Sequence, residues 1–221
     1  ILLKNKYGVE FNFGTTVSSV DPNLVVTSDG NKINTKKSII CSGADFESLF
    51  PQEYKKFHTT KSKLQMLRTI TQPKNFKLGP ALCSGFTLTH YDSFAECSSI
   101  NSLKDRYKKE FPFAIENGIH IMISQNGLGE IILGDSHEYG LTFDPFNNEE
   151  INKFIVDQVK SFISLPSIEI ASRWNGIYPK LIGGTELIKE VDDSILIVNC
   201  LGGAGMTQSF GLAEEIAEEY L

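Results

Sequence analysis

Three glycines, Gly202, Gly203 and Gly205, lie within four positions where the apolar run "SILIVNC" gives way to a helical pattern. The N-terminus of a helix presents unpaired N–H groups and a partial positive charge, and glycines before it let a ligand approach the backbone. Such a turn suits phosphate or another electron-rich oxygen, with the hydroxyl of Thr207 nearby. The turn does not have the spacing of a GxGxxG motif. It is not a P-loop either, because no Lys-Ser/Thr pair follows the glycines. The same spacing also fits a strand-to-helix corner made only for packing.

A second polar group stands in "GDSHEYG", residues 134–140. Asp135, His137 and Glu138 are residue types that ligate metals, but they lack the paired-histidine helical spacing of zinc sites. We therefore predict no metal site and interpret the segment as a loop near an active-site entrance. His58 and His90 have no evident partner in the sequence and are predicted to be surface residues.

The composition is that of an ordinary globular chain, with 41% hydrophobic and 22% charged residues. The net charge of −6 argues against nucleic-acid or anionic-membrane binding. No apolar run approaches the roughly 20 residues that cross a bilayer, so no membrane span is expected. Four widely spaced cysteines without a CxxC pair predict buried thiols in a reducing, cytoplasmic compartment. Nothing in the sequence indicates the oligomeric state.

The elements that must position these residues change character along the chain. The first part is β-rich, with strands at "GVEFNF", "TTVSSV" and "KKSII", a hairpin turn at Asp29-Gly30 and a short helix "FESLF" that Asp45 caps and Pro51 ends. The middle carries predicted strands at "KLQMLRT", "SGFTLTH", "GIHIMIS" and "EIILGDS" and an amphipathic helix near residues 151–163. A strand that enters a helix through glycines is typical of a three-layer α/β sheet. The predicted fold class is therefore α/β plus α+β, with an antiparallel-sheet domain inserted into the three-layer one.

Several of these segments together resemble the glycine oxidase/D-amino-acid oxidase/monomeric sarcosine oxidase superfamily of FAD-dependent oxidoreductases. "IVNCLGGAGMTQSFGLAEEIAE" resembles its C-terminal flavin motif, "INTKKSIICSGAD" the end of its FAD domain, "KLQMLRT" the first strand of its substrate domain, and "RWNGIYP" a Trp/Gly turn beside the flavin. The resemblance implies FAD-domain segments at 1–58 and 178–221 around a substrate-binding domain at 59–177. The family's N-terminal GxGxxG unit has no counterpart, and the opening "ILLKNKYGVEFNFG" has neither Met nor signal peptide, so we expect a C-terminal fragment.

The resemblance also implies which residues contact FAD. Val17 matches a position that pairs with the adenine, and Ser42 and Gly43 match a strand end beside the adenosine or pyrophosphate. The glycine turn would aim its N–H groups at the pyrimidine edge of the flavin, where negative charge develops on reduction. "SRWNGIYP" has no Cys for covalent attachment, so FAD would be non-covalent, and a fragment could lack it altogether. The remaining residues implied to bind the cofactor are Trp174, Gly176, Gly202, Gly203, Ala204, Gly205, Met206 and Thr207.

For the chemistry, the resemblance points to His120 and Tyr178 as catalytic residues. His120 falls on a strand where the sarcosine oxidase branch directs a basic side chain at the flavin; the alternative is a half-exposed strand histidine. Tyr178 stands where the glycine oxidase branch has a carboxylate-binding Arg, and it supplies no charge. Arg173 or Lys180 could supply that charge instead, although Arg173 could equally face solvent. We predict substrate binding by Arg173 and Tyr178.

The implied function is oxidation of the C–N bond of an amine or amino acid by hydride transfer to FAD, giving an imine that hydrolyses. Two alternatives stay open at this point. The chain could be a non-catalytic folded domain that does not retain FAD alone. The parent enzyme could also act on a hydroxy acid or an aminophosphonate, because Tyr178 and Thr207 depart from the family pattern.

Overall fold

The computed structural model describes residues 1–220, which divide into two compact units. The first unit comprises residues 1–59 and 179–220, and the second comprises residues 60–178. The elements of the first unit are α1 (Leu2–Tyr7), β1 (Val17–Asp21), β2 (Leu24–Thr27), β3 (Lys32–Asn34), β4 (Ser38–Ile40), α2 (Pro51–Tyr54), β11 (Leu187–Asp192), β12 (Ile195–Asn199), a 3-10 turn (Gly202–Ala204) and α7 (Gly205–Tyr220).

The second unit is built on a long antiparallel sheet with helices packed on it. Its strands run in the order β10-β5-β8-β7-β6, with β9 paired to β5. Its elements are β5 (Thr59–Thr71), β6 (Leu82–Cys83), α3 (Phe86–His90), a 3-10 turn (Asp92–Phe94), α4 (Ile100–Glu110), α5 (Pro112–Glu116), β7 (Met122–Gln125), β8 (Glu130–Gly134), β9 (Glu138–Gly140), α6 (Glu149–Phe162) and β10 (Ile170–Leu181).

The core of the first unit is organised around β12, whose five residues are all buried. β12 pairs with β11 on one side and runs parallel to β4 on the other. Because successive strand residues point to opposite faces, Ile195 and Ile197 pack toward β1 and β2, whereas Leu196 and Val198 pack against Ile216 of α7. The sheet is therefore covered on both faces, which explains the uninterrupted apolar sequence of the strand.

The core of the second unit forms where the amphipathic helix α6 covers the sheet. Ile155 and Val159 of α6 are fully buried against Leu67 of β5 and Leu133 of β8. The side-chain oxygen of Asn148 accepts a hydrogen bond from the backbone N–H of Glu150 and so caps the helix. The mixture of helices and antiparallel sheets confirms the predicted fold class.

Several sequence-based expectations for individual segments are wrong. No strand forms at 8–13 within the described residues; Phe11 and Phe13 stack on each other, exposed, without a strand partner. Pro51 begins a helix instead of ending one, because its fixed φ and missing N–H suit the first helical position. "SGFTLTH" is the helix α3, since five residues are too few for periodicity to separate helix from strand and Phe86 packs on Tyr107.

Two further expectations need correction. "WNGIYP" is no turn, because β10 continues through it beside the 13-residue β5. Of the cysteines, only Cys200 is buried, and none of the four forms a disulfide within residues 1–220; the exposed ones are Cys41, Cys83 and Cys97. In the described part of the chain, no helix has the length and apolar character needed to span a membrane.

Candidate functional site

The glycine turn of the first unit lies at the carboxyl end of two parallel strands. β4 and β12 pair in parallel over Ser38–Ile40 and Ile195–Ile197. The segments that follow the two strands therefore leave the same edge of the sheet. These segments are Ser42 and Gly43 after β4 and the glycine turn after β12. This edge is where open α/β sheets bind their ligands. α7 starts at Gly205, so Gly205, Met206 and Thr207 form its first turn, while Gly202, Gly203 and Ala204 form the preceding 3-10 turn.

Asn199 fixes that edge, and the sequence analysis did not single it out. It is 4% exposed, and its amide Nδ2 donates to the Tyr54 hydroxyl at 2.7 Å and to the Gly43 carbonyl at 3.0 Å. Its Oδ1 accepts the backbone N–H of Cys200 at 2.7 Å, where the chain turns with φ 61°. One side chain thus ties the ends of both parallel strands together. The feature of the sequence that could have indicated this role is an amide side chain directly after four apolar residues of a buried strand.

The surroundings of this edge fit a bound anionic cofactor. Gly43 and Gly202 have φ of 61° and 60°, and a Cβ added at either would meet no atom within 4 Å. The space in front of the backbone is therefore open, and the first N–H groups of a 16-residue helix stand beside it. Val17 is another position of this unit that was expected to contact the cofactor. It is the first residue of β1 and packs against the core of the unit.

In the second unit, the structure brings together three of the four histidines. The rings of His90 and His120 stack with centroids 3.9 Å apart, and His137 lies 4.5 Å from the first and 5.0 Å from the second. His90, expected at the surface, is half-buried at the end of α3. A strand was predicted for this segment. The segment is instead the helix α3, and His90 at its end stacks on His120. We call these three residues the histidine cluster.

His120, expected to be catalytic, is buried next to an acidic partner. It is 3% exposed, and its Nε2 lies 3.2 Å from Oδ1 of Asp135. Reciprocal backbone hydrogen bonds join the two residues, Asp135 N to His120 O at 2.8 Å and His120 N to Asp135 O at 3.2 Å. Burial, followed by the neighbouring His90 and His137, lowers the pKa of His120 to about 3, and burial raises the pKa of Asp135 to about 7. Both groups are therefore held toward their neutral forms.

Tyr178, the other expected catalytic residue, joins the same network through His137. Nδ1 of His137 lies 3.1 Å from the carbonyl oxygen of Gly118, and Nε2 lies 3.1 Å from the Tyr178 hydroxyl. A carbonyl only accepts, so Nδ1 carries the proton and Nε2 accepts from Tyr178. Burial raises the pKa of Tyr178 to about 12. His120 and Tyr178 are thus brought together, with His137 between them.

The other expected positions of this unit lie on β10. Trp174 and Gly176 occupy the interior of the strand, where Trp174 is 38% exposed. The Nε of Arg173 lies 3.3 Å from Oε1 of Glu149; the Arg173 side chain is about half exposed and that of Glu149 is largely exposed. Arg173 was expected to bind the carboxylate of a substrate. In the structure it already has a carboxylate partner within the protein, Glu149.

A cavity of about 380 Å³ opens beside His137 in the same unit. Its wall is partly polar and partly apolar, and the buried Lys63 is held there by hydrogen bonds from Nζ to the carbonyls of Asp144 at 2.6 Å and Phe146 at 3.0 Å. Glu116, Glu138 and Asp144 also line it. The wall supplies more carboxylates than cationic groups, which favours a positively charged ligand such as an ammonium ion.

Comparison with known protein families identifies the family of the chain. A model described as "FAD dependent oxidoreductase" (DAO) matches residues 4–219. The chain belongs to the DAO family of FAD-dependent oxidoreductases. The resemblance stated from the sequence is thereby confirmed at the level of the family. Comparison with curated protein sequences found no match.

Several solved structures share the fold of this chain. L-Proline dehydrogenase from P. horikoshii matches 96% of this chain and 51% of its own length, with a TM-score of 0.67 and 19% identity. Glycine oxidase from Bacillus cereus matches 92% and 49%, with a TM-score of 0.59 and 15% identity. Amadoriase I, a fructosyl amine:oxygen oxidoreductase from Aspergillus fumigatus, matches 92% and 44%, with a TM-score of 0.57 and 14% identity. The chain spans about half the length of these structures.

The neutral state of Asp135 generates a prediction about stability and pH. The folded protein keeps the Asp135 proton up to about pH 7, whereas an unfolded aspartate releases it near pH 4. Because the folded state binds more protons in that window, this group makes stability fall as pH rises through it. His120 has the opposite effect on the free energy of unfolding: because its pKa is lowered in the folded state, the protein loses stability as pH falls below about 6.5. A variant is therefore needed to isolate the contribution of Asp135.

We expect Asp135→Asn to remove this loss. Urea unfolding of both proteins between pH 5 and 7.5, with a chelator present, gives the difference in free energy of unfolding. The wild type should lose stability relative to the variant by up to about 1.4 kcal/mol per pH unit. A difference that stays constant across this range would mean that Asp135 binds equal numbers of protons in the folded and unfolded states, and the raised pKa of Asp135 would be wrong.

Proposed function

We propose that this chain carries the substrate-binding unit and the flavin-facing glycine turn of an enzyme that oxidises the C–N bond of an amine or amino acid. The observation that carries the proposal is the network of Asp135, His120, His137 and Tyr178, in a chain whose family uses FAD. Glycine oxidase, L-proline dehydrogenase and amadoriase are the names of proteins that share its fold, and each names an amine or amino acid. When bound, FAD supplies the hydride acceptor, and the protein supplies orientation and proton handling.

Cofactor contacts are proposed at the edge that Asn199 ties together. The open space at Gly43 and Gly202 supports an approach of the cofactor to the backbone, and the first turn of α7 supports stabilisation of negative charge. Ser42, Gly203, Ala204, Met206 and Thr207 belong to the same edge. Val17, Trp174 and Gly176 are proposed from the family resemblance alone. No cysteine lies in 172–179, and we propose that FAD is held without a covalent bond.

The proposed chemistry of the network is removal of a proton from the substrate ammonium group. An amine gives up a hydride readily only after its nitrogen has lost its extra proton, because the lone pair must stabilise the developing cation. The Tyr178 oxygen accepts that proton while its own proton passes to Nε2 of His137, which already accepts its hydrogen bond at 3.1 Å. His120 stacks on His137 and is neutral, so it adds no positive charge that would oppose this transfer.

Arg173 is proposed to bind the carboxylate of the substrate and to give up its present ion pair when it does so. A substrate carboxylate would replace Glu149, whose side chain is largely exposed and needs no buried partner.

Cofactor binding is tested by exchanging one glycine at a time in α7. Gly205 has a normal helical φ, and a Cβ there would make only an ordinary 3.5 Å contact with Leu201, so Gly205→Ala should fold. If the turn faces the cofactor, the methyl group should weaken FAD binding at least about tenfold, about 1.4 kcal/mol. Gly211→Ala, in the same helix with open space around it, is the matched control and should leave affinity unchanged.

The measurement is a titration of FAD fluorescence with the purified chain, followed by gel filtration of the mixture. FAD binding that Gly205→Ala weakens and Gly211→Ala does not supports the proposed site. A chain that shows no saturable binding of FAD would overturn the proposal that it holds the cofactor by itself. Equal affinities of the two variants would show that the turn does not face FAD.

The proton-transfer role is tested by Tyr178→Phe in protein loaded with FAD. With glycine and L-proline as substrates, bleaching of the flavin absorption should slow about 10²-fold or more near pH 7, because the proton acceptor is gone. The deficit should shrink above the pKa of the substrate amine, where no proton needs removal. His58→Gln, which changes an exposed histidine in the other unit, is the control. A deficit that is the same at every pH would contradict the role.

A further inference from the structure

The histidine cluster has the ligand types and spacing of a metal site, which the sequence analysis did not expect. One ring nitrogen from each of His90, His120 and His137 can be chosen so that all three lie within 4.8 Å of one another. Two of the residues are buried and the third is half-buried, so the cluster is partly shielded from water. Side chains on three separate segments converge there: the end of α3, the residues before β7 and the residues between β8 and β9.

His120 supplies a second observation that points to a ligand. Its Nδ1 is buried and has no hydrogen-bond partner among residues 1–220, although its Nε2 faces Asp135 at 3.2 Å. An unsatisfied buried polar atom costs about 1–3 kcal/mol, so proteins rarely keep one without a purpose. Proteins commonly orient a metal-binding histidine by placing a carboxyl group beside the ring nitrogen that does not bind the metal, as Asp135 lies beside Nε2 of His120.

His137 has the complementary arrangement. Its Nδ1 donates to the Gly118 carbonyl at 3.1 Å, which fixes the tautomer and leaves the lone pair on Nε2. A backbone carbonyl is the other common outer partner of a metal-binding histidine. The Tyr178 hydroxyl, 3.1 Å from Nε2, now donates to that lone pair and would give up the contact to a metal ion.

We propose that the histidine cluster binds a divalent transition-metal ion of the Zn²⁺ type through three imidazole nitrogens, with one coordination position left open. Imidazole suits Zn²⁺, Ni²⁺ and Cu²⁺ and not Mg²⁺ or Ca²⁺. At Zn–N distances of about 2.0–2.1 Å, tetrahedral nitrogens lie about 3.4 Å apart, so the present spacing must close by roughly 1.4 Å at most. The half-buried His90, at the end of a five-residue helix, can turn its ring from the stack with the least repacking.

Metal binding has a consequence that rests on the proposed function. A metal on Nε2 of His137 takes the lone pair that would receive the Tyr178 proton. The occupied cluster would therefore inhibit amine oxidation. Binding itself does not depend on that function, and the test below uses neither FAD nor substrate.

The test uses Co²⁺ as a spectroscopic probe with the chelator-treated full chain. We expect one Co²⁺ per chain, visible absorption of the intensity typical of tetrahedral Co²⁺, and loss of that absorption on addition of Zn²⁺. His90→Gln should lower the affinity at least about tenfold, and Asp135→Asn by roughly 10- to 100-fold through its effect on His120. His58→Gln alters the one histidine outside the cluster and should leave the affinity unchanged.

Folding of each variant is checked by circular dichroism. His90→Gln is the decisive one, because His90 is the least buried of the three and its loss disturbs the core least. Failure of the wild type to bind Co²⁺ at up to about 1 mM would overturn the proposal. Equal loss of affinity in His90→Gln and His58→Gln would also overturn it, because the bound ion would then be only adventitious.

Discussion

The second unit depends on the burial of His120 and Asp135 beside each other. Their two backbone hydrogen bonds hold the segments that flank β7 and β8 together beyond the ends of the ladder, and this places Asp135, His120 and His137 on one side of the sheet. Desolvation disfavours a charge on either partner, so the protein keeps a polar pair in a mostly neutral form. A neutral imidazole is what both proposals require: it can neighbour a proton acceptor without repelling it, and it can offer a lone pair to a metal ion.

The first unit depends on a comparable constraint, made by one amide. Asn199 ends the buried strand β12, binds the Gly43 carbonyl and the Tyr54 hydroxyl, and accepts the N–H of Cys200 where the chain turns. The parallel pairing of β4 and β12 brings the two glycine-containing segments to one edge, and Asn199 fixes their spacing. In the proposed cofactor site, the backbone and not the side chains would offer the binding surface. This explains why glycines cluster at the end of the chain, where a strand becomes a helix.

Features whose pattern has a local physical cause could be predicted from the sequence. The apolar run of β12, the 3.6-residue period of α6 and the Asp29-Gly30 hairpin, with Gly30 at φ 86°, each follow from burial or backbone geometry within a few residues. The features that sequence reasoning missed depend on distant partners. The strand through Trp174 persists because β5 lies beside it, and α3 forms because Phe86 packs on Tyr107. The histidine cluster combines residues 17 to 47 positions apart, and no spacing rule reveals it.

The central claim is that His120 is held neutral and that His137 carries its proton on Nδ1. Long-range ¹H–¹⁵N NMR spectra of the imidazoles, recorded with a chelator from pH 5 to 8, report both protonation and tautomer for each ring. The structure predicts that His120 stays neutral throughout and that His137 at pH 8 shows the Nδ1–H form. A His120 that becomes protonated near pH 6.5, the value of an unperturbed histidine, or a His137 in the Nε2–H form, would contradict the account.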